Sequence, residues 1–162
     1  MKVISPNIPL EKLDALFLSE LEEDSDSVIE IITDLIAKPL EEDVENAEFL
    51  VFAPQFIDEG SHSIHFYLDG KNKLVGSDKP GLYAGNSLRF YEDFNLSHFS
   101  ENDEERFDKY NYPDKITDII IRWFAECWWK AGGWSYLVPV TISSRTVFGS
   151  IGPLRLTKAQ KP

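Results

Sequence analysis

Residues 122–134 read RWFAECWWKAGGW and gather all four tryptophans of the chain, Trp123, Trp128, Trp129 and Trp134, with its only cysteine, Cys127. Two chemistries could use such a stretch: a thiolate nucleophile, or an aromatic surface that anchors a partner. A reactive thiol needs exposure and a neighbouring cation or imidazole. No histidine lies within twenty residues of Cys127, so a small buried hydrophobe is the better reading. At about 100° per residue, Ile116, Ile119, Ile120, Trp123, Phe124, Cys127 and Ala131 fall on one helix face, which is expected to be core. Trp128 borders that face beside Ile121. Trp129 points instead with Asp118, Arg122 and Ala125, the polar side. Because Trp and Arg are enriched in binding hot spots, Trp129 and Arg122 are the candidate contact pair. A loop over 98–112 folding across Trp129 is the plainer alternative.

The other reactive residue types give weaker patterns. His62, His65 and His98 are the only imidazoles. His62 and His65, three positions apart at a strand entry, would diverge in a regular strand. With Asp58 and Glu59 nearby they could meet a metal, but no established ligand spacing is present, so no metal is expected. Glu41, Glu42 and Asp43, like Asp103, Glu104 and Glu105, are carboxylates in polar segments, where nothing desolvates them for acid–base work. No nucleotide-binding glycine motif or nucleophile elbow occurs. Ser143-Ser144-Arg145-Thr146 reads as a turn between strands rather than an anion site. No catalytic residue and no cofactor are expected.

The elements that would position these residues begin with a helix over PLEKLDALFLSEL, placing Leu10, Leu13, Phe17 and Leu21 on one stripe. A second helix follows EEDSD, with Ser27 and Glu30 at capping-box spacing; its β-branched residues leave a strand reading open. FLVFA at 49–53 reads as a buried strand, and residues 63–76 as a hairpin around DGKN. SLRFYEDF adds a strand, and ENDEERFDKYNYPD a charged loop or short exposed helix. The long aromatic helix over about 114–131 ends at Gly132-Gly133, as a left-handed C-cap requires. WSYLVPVTI then alternates as a strand, with Trp134, Tyr136, Val138, Val140 and Ile142 on one face and Pro139 marking an edge or a bulge. TVFGSI is the last strand candidate. Helices followed by mostly antiparallel strands, with one long helix packed on the sheet, make an α+β fold. Across 162 residues, without internal repeats, a single domain is expected.

Charge narrows the function. Residues 1–60 carry a net −13 and residues 61–118 a net −4, whereas residues 119–162 carry +5, with Glu126 their only acid. An acidic field of this size repels nucleic acid and anionic membranes and attracts a basic protein. One cysteine excludes an internal disulfide, MKVISPNIPLEKL lacks the apolar core of a signal peptide, and no stretch could span a bilayer. The expectation is a cytoplasmic protein that engages neither nucleic acid nor membrane. In size and charge the chain is similar to bacterial immunity proteins that neutralise nuclease toxins, and this likeness rests on composition alone. It implies carboxylates occupying a toxin's cationic groove.

The balance favours a non-enzymatic protein binding a basic protein partner. Its contacts would come from Asp24 and Asp26, Glu41, Glu42 and Asp43, and Asp103, Glu104 and Glu105, with Trp129 and Arg122 as anchors. The alternative is a small-molecule-binding or enzymatic domain whose pocket joins His65, Tyr67 and Tyr136 with Trp128. Self-association into a homodimer, through strand 134–142 or the Trp129 face, is the third class.

Overall fold

The computed structural model describes residues 2–3, 12–40, 42, 44–52, 63–70, 73–74, 88–92, 94–95, 111–146 and 148–159. In chain order the elements are β1 (Lys2–Val3), α1 (Leu13–Glu23), α2 (Ser25–Ala37), β2 (Val44–Phe52), β3 (Ser63–Gly70), β4 (Lys73–Leu74), β5 (Leu88–Glu92) and β6 (Phe94–Asn95). They continue with α3 (Tyr112–Lys130), a 3-10 turn (Gly133–Ser135), β7 (Val140–Ser144) and β8 (Leu154–Arg155). The main sheet runs β4-β3-β2-β7-β8, with β5 also paired to β3; β1 and β6 form a separate parallel pair. Only β2 and β7 are parallel within the main sheet, and its other pairs are antiparallel. The fold is α+β.

Alternation along the central strands divides the sheet's two faces. Ala47, Phe49 and Val51 of β2, Ile64, Phe66 and Leu68 of β3, and Val140 and Ile142 of β7 are buried. On the opposite face Glu48, Leu50, His65, Tyr67, Thr141 and Ser143 are half-buried. Phe49 centres the inner face, 4.7 Å from the rings of both Phe66 and Phe124 and 5.4 Å from that of Trp128.

Helix α3 is buried far more widely than one stripe. Ile116, Thr117, Ile120, Ile121, Trp123, Phe124, Ala125, Cys127 and Trp128 are all buried, an arc of about 200° at helical spacing. The cause is double packing: α3 touches β2 and β7 on one flank and α1 and α2 on another. Ala125 therefore belongs to the core and not to the polar side, and Ile119 is only half-buried. Leu13, Phe17 and Leu21 of α1 and Val28, Ile32 and Leu35 of α2 complete this second interface.

Several local expectations need correction. Helix α2 starts at Ser25, ahead of the Ser27–Glu30 pair, and has no side-chain cap. The strand expected from Trp134 begins only at Val140, because Gly132 turns left-handed at φ 90° and the chain closes a 3-10 turn. Pro139 lies at the entrance of an interior strand, where its carbonyl accepts the Ala47 N–H at 2.9 Å. Nor do the described residues of TVFGSI form a strand. The N–H groups of Gly149, Ser150 and Ile151 go to the carboxylates of Asp114 and Asp118 instead of a ladder. Most of the charged stretch 101–114 lies outside the described residues, as do Pro9–Glu11 of the first helix expectation.

Candidate functional site

The tryptophan cluster separates into buried and exposed pairs. Trp123 is buried and donates its indole N–H to Ser25 Oγ at 2.9 Å, tying α3 to the start of α2. Trp128 is fully buried, edge-on to Phe49 and to Tyr136. The sequence left Trp128 at a border; the double packing of α3 places it inside.

Trp129 is 40% exposed. Its indole N–H donates to the Leu156 carbonyl at 3.1 Å, and Trp128 donates to the same oxygen at 2.9 Å. Trp134 is also exposed and stands edge-on to Trp129, with ring centroids 6.4 Å apart. The Arg155 guanidinium lies over the Trp134 ring at 5.0 Å, a cation–π arrangement. The Lys158 N–H donates to the Trp134 carbonyl at 2.8 Å. A shallow cavity of about 530 Å³ runs past Trp134, Ser135, Tyr136, Lys158 and Ala159.

Trp134, Arg155 and Lys158 were not legible as neighbours of Trp129. The signal was present in Gly132-Gly133: a tight glycine turn after a helix returns the chain beside its own last turn. Arg122, by contrast, is exposed in a different recess, of about 250 Å³, shared with Leu18, Glu22, Ile119, Trp123 and Glu126 between α1 and α3.

Cys127 is buried, and desolvation pushes its thiol above the ordinary range. A hydrogen bond with Ser25 and the nearby Lys130 charge oppose that rise, while Glu126 and Asp26 add to it. The thiol stays protonated and sequestered at neutral pH, unsuited to nucleophilic work.

The acidic segments are described in part. Asp26 is exposed and Asp24 half-buried at the junction of α1 and α2, and Glu42 is exposed in a turn. Glu41, Asp43, Asp103, Glu104 and Glu105 lie outside the described residues. Along α2, Asp26, Glu30 and Asp34 are all exposed and follow one another at i, i+4 and i+8, which aligns them on one stripe. Glu22 and Glu23 are exposed at the end of α1, and Leu18 of α1 and Ile31 of α2 are exposed apolar side chains.

The residues of the expected small-molecule pocket do not converge. Trp128 and Tyr136 are buried in the core, whereas His65 and Tyr67 occupy the opposite sheet face. There His65 Nε2 hydrogen-bonds Ser63 Oγ at 2.9 Å and the ring meets Phe52 edge-on. A shallow cavity of about 470 Å³ on that face is lined by Glu48, Leu50, Tyr67, Asp69, Ser144 and Arg145. The Ser144 hydroxyl is engaged locally with Thr146, as in a serine/threonine turn. Among the described residues no three metal-binding side chains gather, and His62, His98, Asp58 and Glu59 lie outside them. No helix among the described residues is long and apolar enough to cross a membrane.

Comparison with protein-family models, with curated proteins and with solved structures finds no match for the chain.

Proposed function

We propose that the protein is a non-catalytic binding module whose acidic consecutive helices, α1 and α2, receive a basic protein partner. The observation that carries this reading is the exposed stripe Asp26, Glu30 and Asp34 on α2. Like charges at i,i+4 destabilise a helix by about 0.2–0.5 kcal/mol per pair. Asp34 adds to the cost, since the C-terminal end of a helix disfavours anions. A surface shaped for stability alone would alternate signs here. Residues 12–40 instead hold eight carboxylates, with lysines only at positions 12 and 38. Ile31, next to Glu30 on α2, supplies exposed apolar area beside the charges, and specific interfaces combine apolar and polar groups in this way.

Carboxylates so arranged steer a cationic surface into contact and accelerate its capture. Within this reading the partner class is a basic protein such as a nuclease, whose nucleic-acid groove α1 and α2 would fill as an immunity protein does, in a cytoplasmic setting. The test is capture of partners from an extract of the host by the wild-type chain and by Asp26→Lys/Glu30→Lys/Asp34→Lys. A basic protein held at low salt, released as salt rises and absent from the variant supports the reading. Capture that ignores both salt and charge reversal overturns it.

A further inference from the structure

Among the described residues the large exposed apolar side chains are Leu18 of α1, Ile31 of α2, and Trp129, Trp134 and Leu137 at the end of α3 and beyond. Around the last three no acid is available from the local chain, because residues 127–162 contain neither Asp nor Glu. Arg155 sits over Trp134, and Lys158 lines the cavity beside it. Lys130 follows Trp129 directly and is exposed. The turn Gly133–Ser135 also meets α2, so these three cations act locally within a chain of net charge −12.

That surface is also held in place. The Trp129 indole is fixed by its bond to the Leu156 carbonyl, and Trp134 by the Trp129 edge, the Arg155 guanidinium and the Lys158 backbone bond. An aromatic group already ordered in the free protein loses little entropy when a partner covers it, so its apolar area converts more fully into affinity. Arg155 and Lys158, beside the Trp134 ring, favour an anionic partner.

We propose that the Trp129–Trp134 surface is a second docking site, which takes an acidic protein segment with an apolar side chain seated in the cavity between Trp134, Tyr136 and Lys158. Its apolar anchor would lie against the Trp134 ring while flanking carboxylates meet Arg155 and Lys158. This site stands independently of the partner proposed for α1 and α2.

The test is NMR of the four indole N–H groups in the full-length protein. The probe is a short peptide with glutamates on both sides of a leucine, and the control is the same peptide with lysines for glutamates. With the glutamate peptide the Trp129 and Trp134 signals are expected to move, while those of buried Trp123 and Trp128 stay. Arg155→Glu/Lys158→Glu is expected to weaken binding by about tenfold or more, with unshifted Trp123 and Trp128 signals reporting an intact fold. The proposal is overturned by signals that do not move at about 1 mM peptide, or by an equal response to the lysine peptide. It is equally overturned if an oligothymidylate binds in preference, or if the signals move on diluting the protein alone, which would make the occupant a second copy.

Discussion

Gly133 lies flat against the indole of Trp128, so close that a Cβ at position 133 would overlap the ring. The contact explains how a helix ending in two tryptophans can bury one and present the other. Trp128 fills the core under a backbone without a side chain, and the same turn carries Trp134 out beside Trp129. Gly132 has a different reason for being glycine: its φ of 90° is a left-handed conformation, with open space around the missing side chain. Gly133→Ala is expected to cost about 2–3 kcal/mol, because the buried ring cannot retreat. Gly132→Ala should cost only about 1 kcal/mol of backbone strain. Urea denaturation of the two variants checks the order.

Burial, and not the shared hydrogen bond, should separate the two adjacent tryptophans. Either single substitution leaves the Leu156 carbonyl with one indole donor. Trp128→Ala is expected to lose about 3–5 kcal/mol by opening a cavity. Trp129→Ala, at a position 40% exposed, should lose about 1 kcal/mol or less. Equal losses in chemical denaturation would contradict the assignment of one to the core and one to the surface.

Asp118 gathers the backbone N–H groups of Ser150 and Ile151 and the Ser150 hydroxyl. Asp118→Ala is therefore expected to loosen residues 149–151 locally, at about 1 kcal/mol of global stability. Amide exchange should accelerate at Ser150 and Ile151 and remain unchanged in β2.

The buried thiol gives a pH dependence of definite sign. Its folded-state value is raised, so deprotonation favours the unfolded chain. The thiol's contribution is complete below the unfolded value of about 8.5. It is lost as pH rises from there through the folded value. Urea melts at rising alkaline pH should show this component in the wild type, and Cys127→Ala should lack it. Thiol-labelling reagents at neutral pH should react only as fast as the protein opens.

Glu30→Lys separates stability from binding. It converts two repulsive i,i+4 relations, with Asp26 and Asp34, into attractive ones, which should stabilise the protein by about 0.8–2 kcal/mol. The same change should weaken capture of the basic partner. A variant that is more stable and binds as well as the wild type would remove the argument for the stripe.

How legible the molecule is in its sequence depends on how local each cause is. Helix periods, the described strands of the hairpin expected over residues 63–76 and the stop at Gly132 follow from neighbouring residues, and all were readable. The double packing of α3 was not, because Ala125 and Ile121 become core only when α1 and α2 arrive from far along the chain. The expected strand from Trp134 failed for a related reason: WSYLVPVTI alternates, but a 3-10 turn and Pro139 delay the ladder to Val140. Asp118 looked like surface charge because its partners lie some thirty residues away. The aromatic surface was half-legible: Trp129 could be read from the helix wheel, whereas Arg155 and Lys158 reach it only through the return of the chain.

The most direct test of the role of α1 and α2 is amide hydrogen exchange of the protein, alone and with the basic protein it captures. Protection centred on α2 around Asp26, Glu30 and Asp34, extending to the end of α1, is the predicted result. Protection that leaves α2 unchanged and falls on the sheet face around Tyr67 and Asp69 would contradict it.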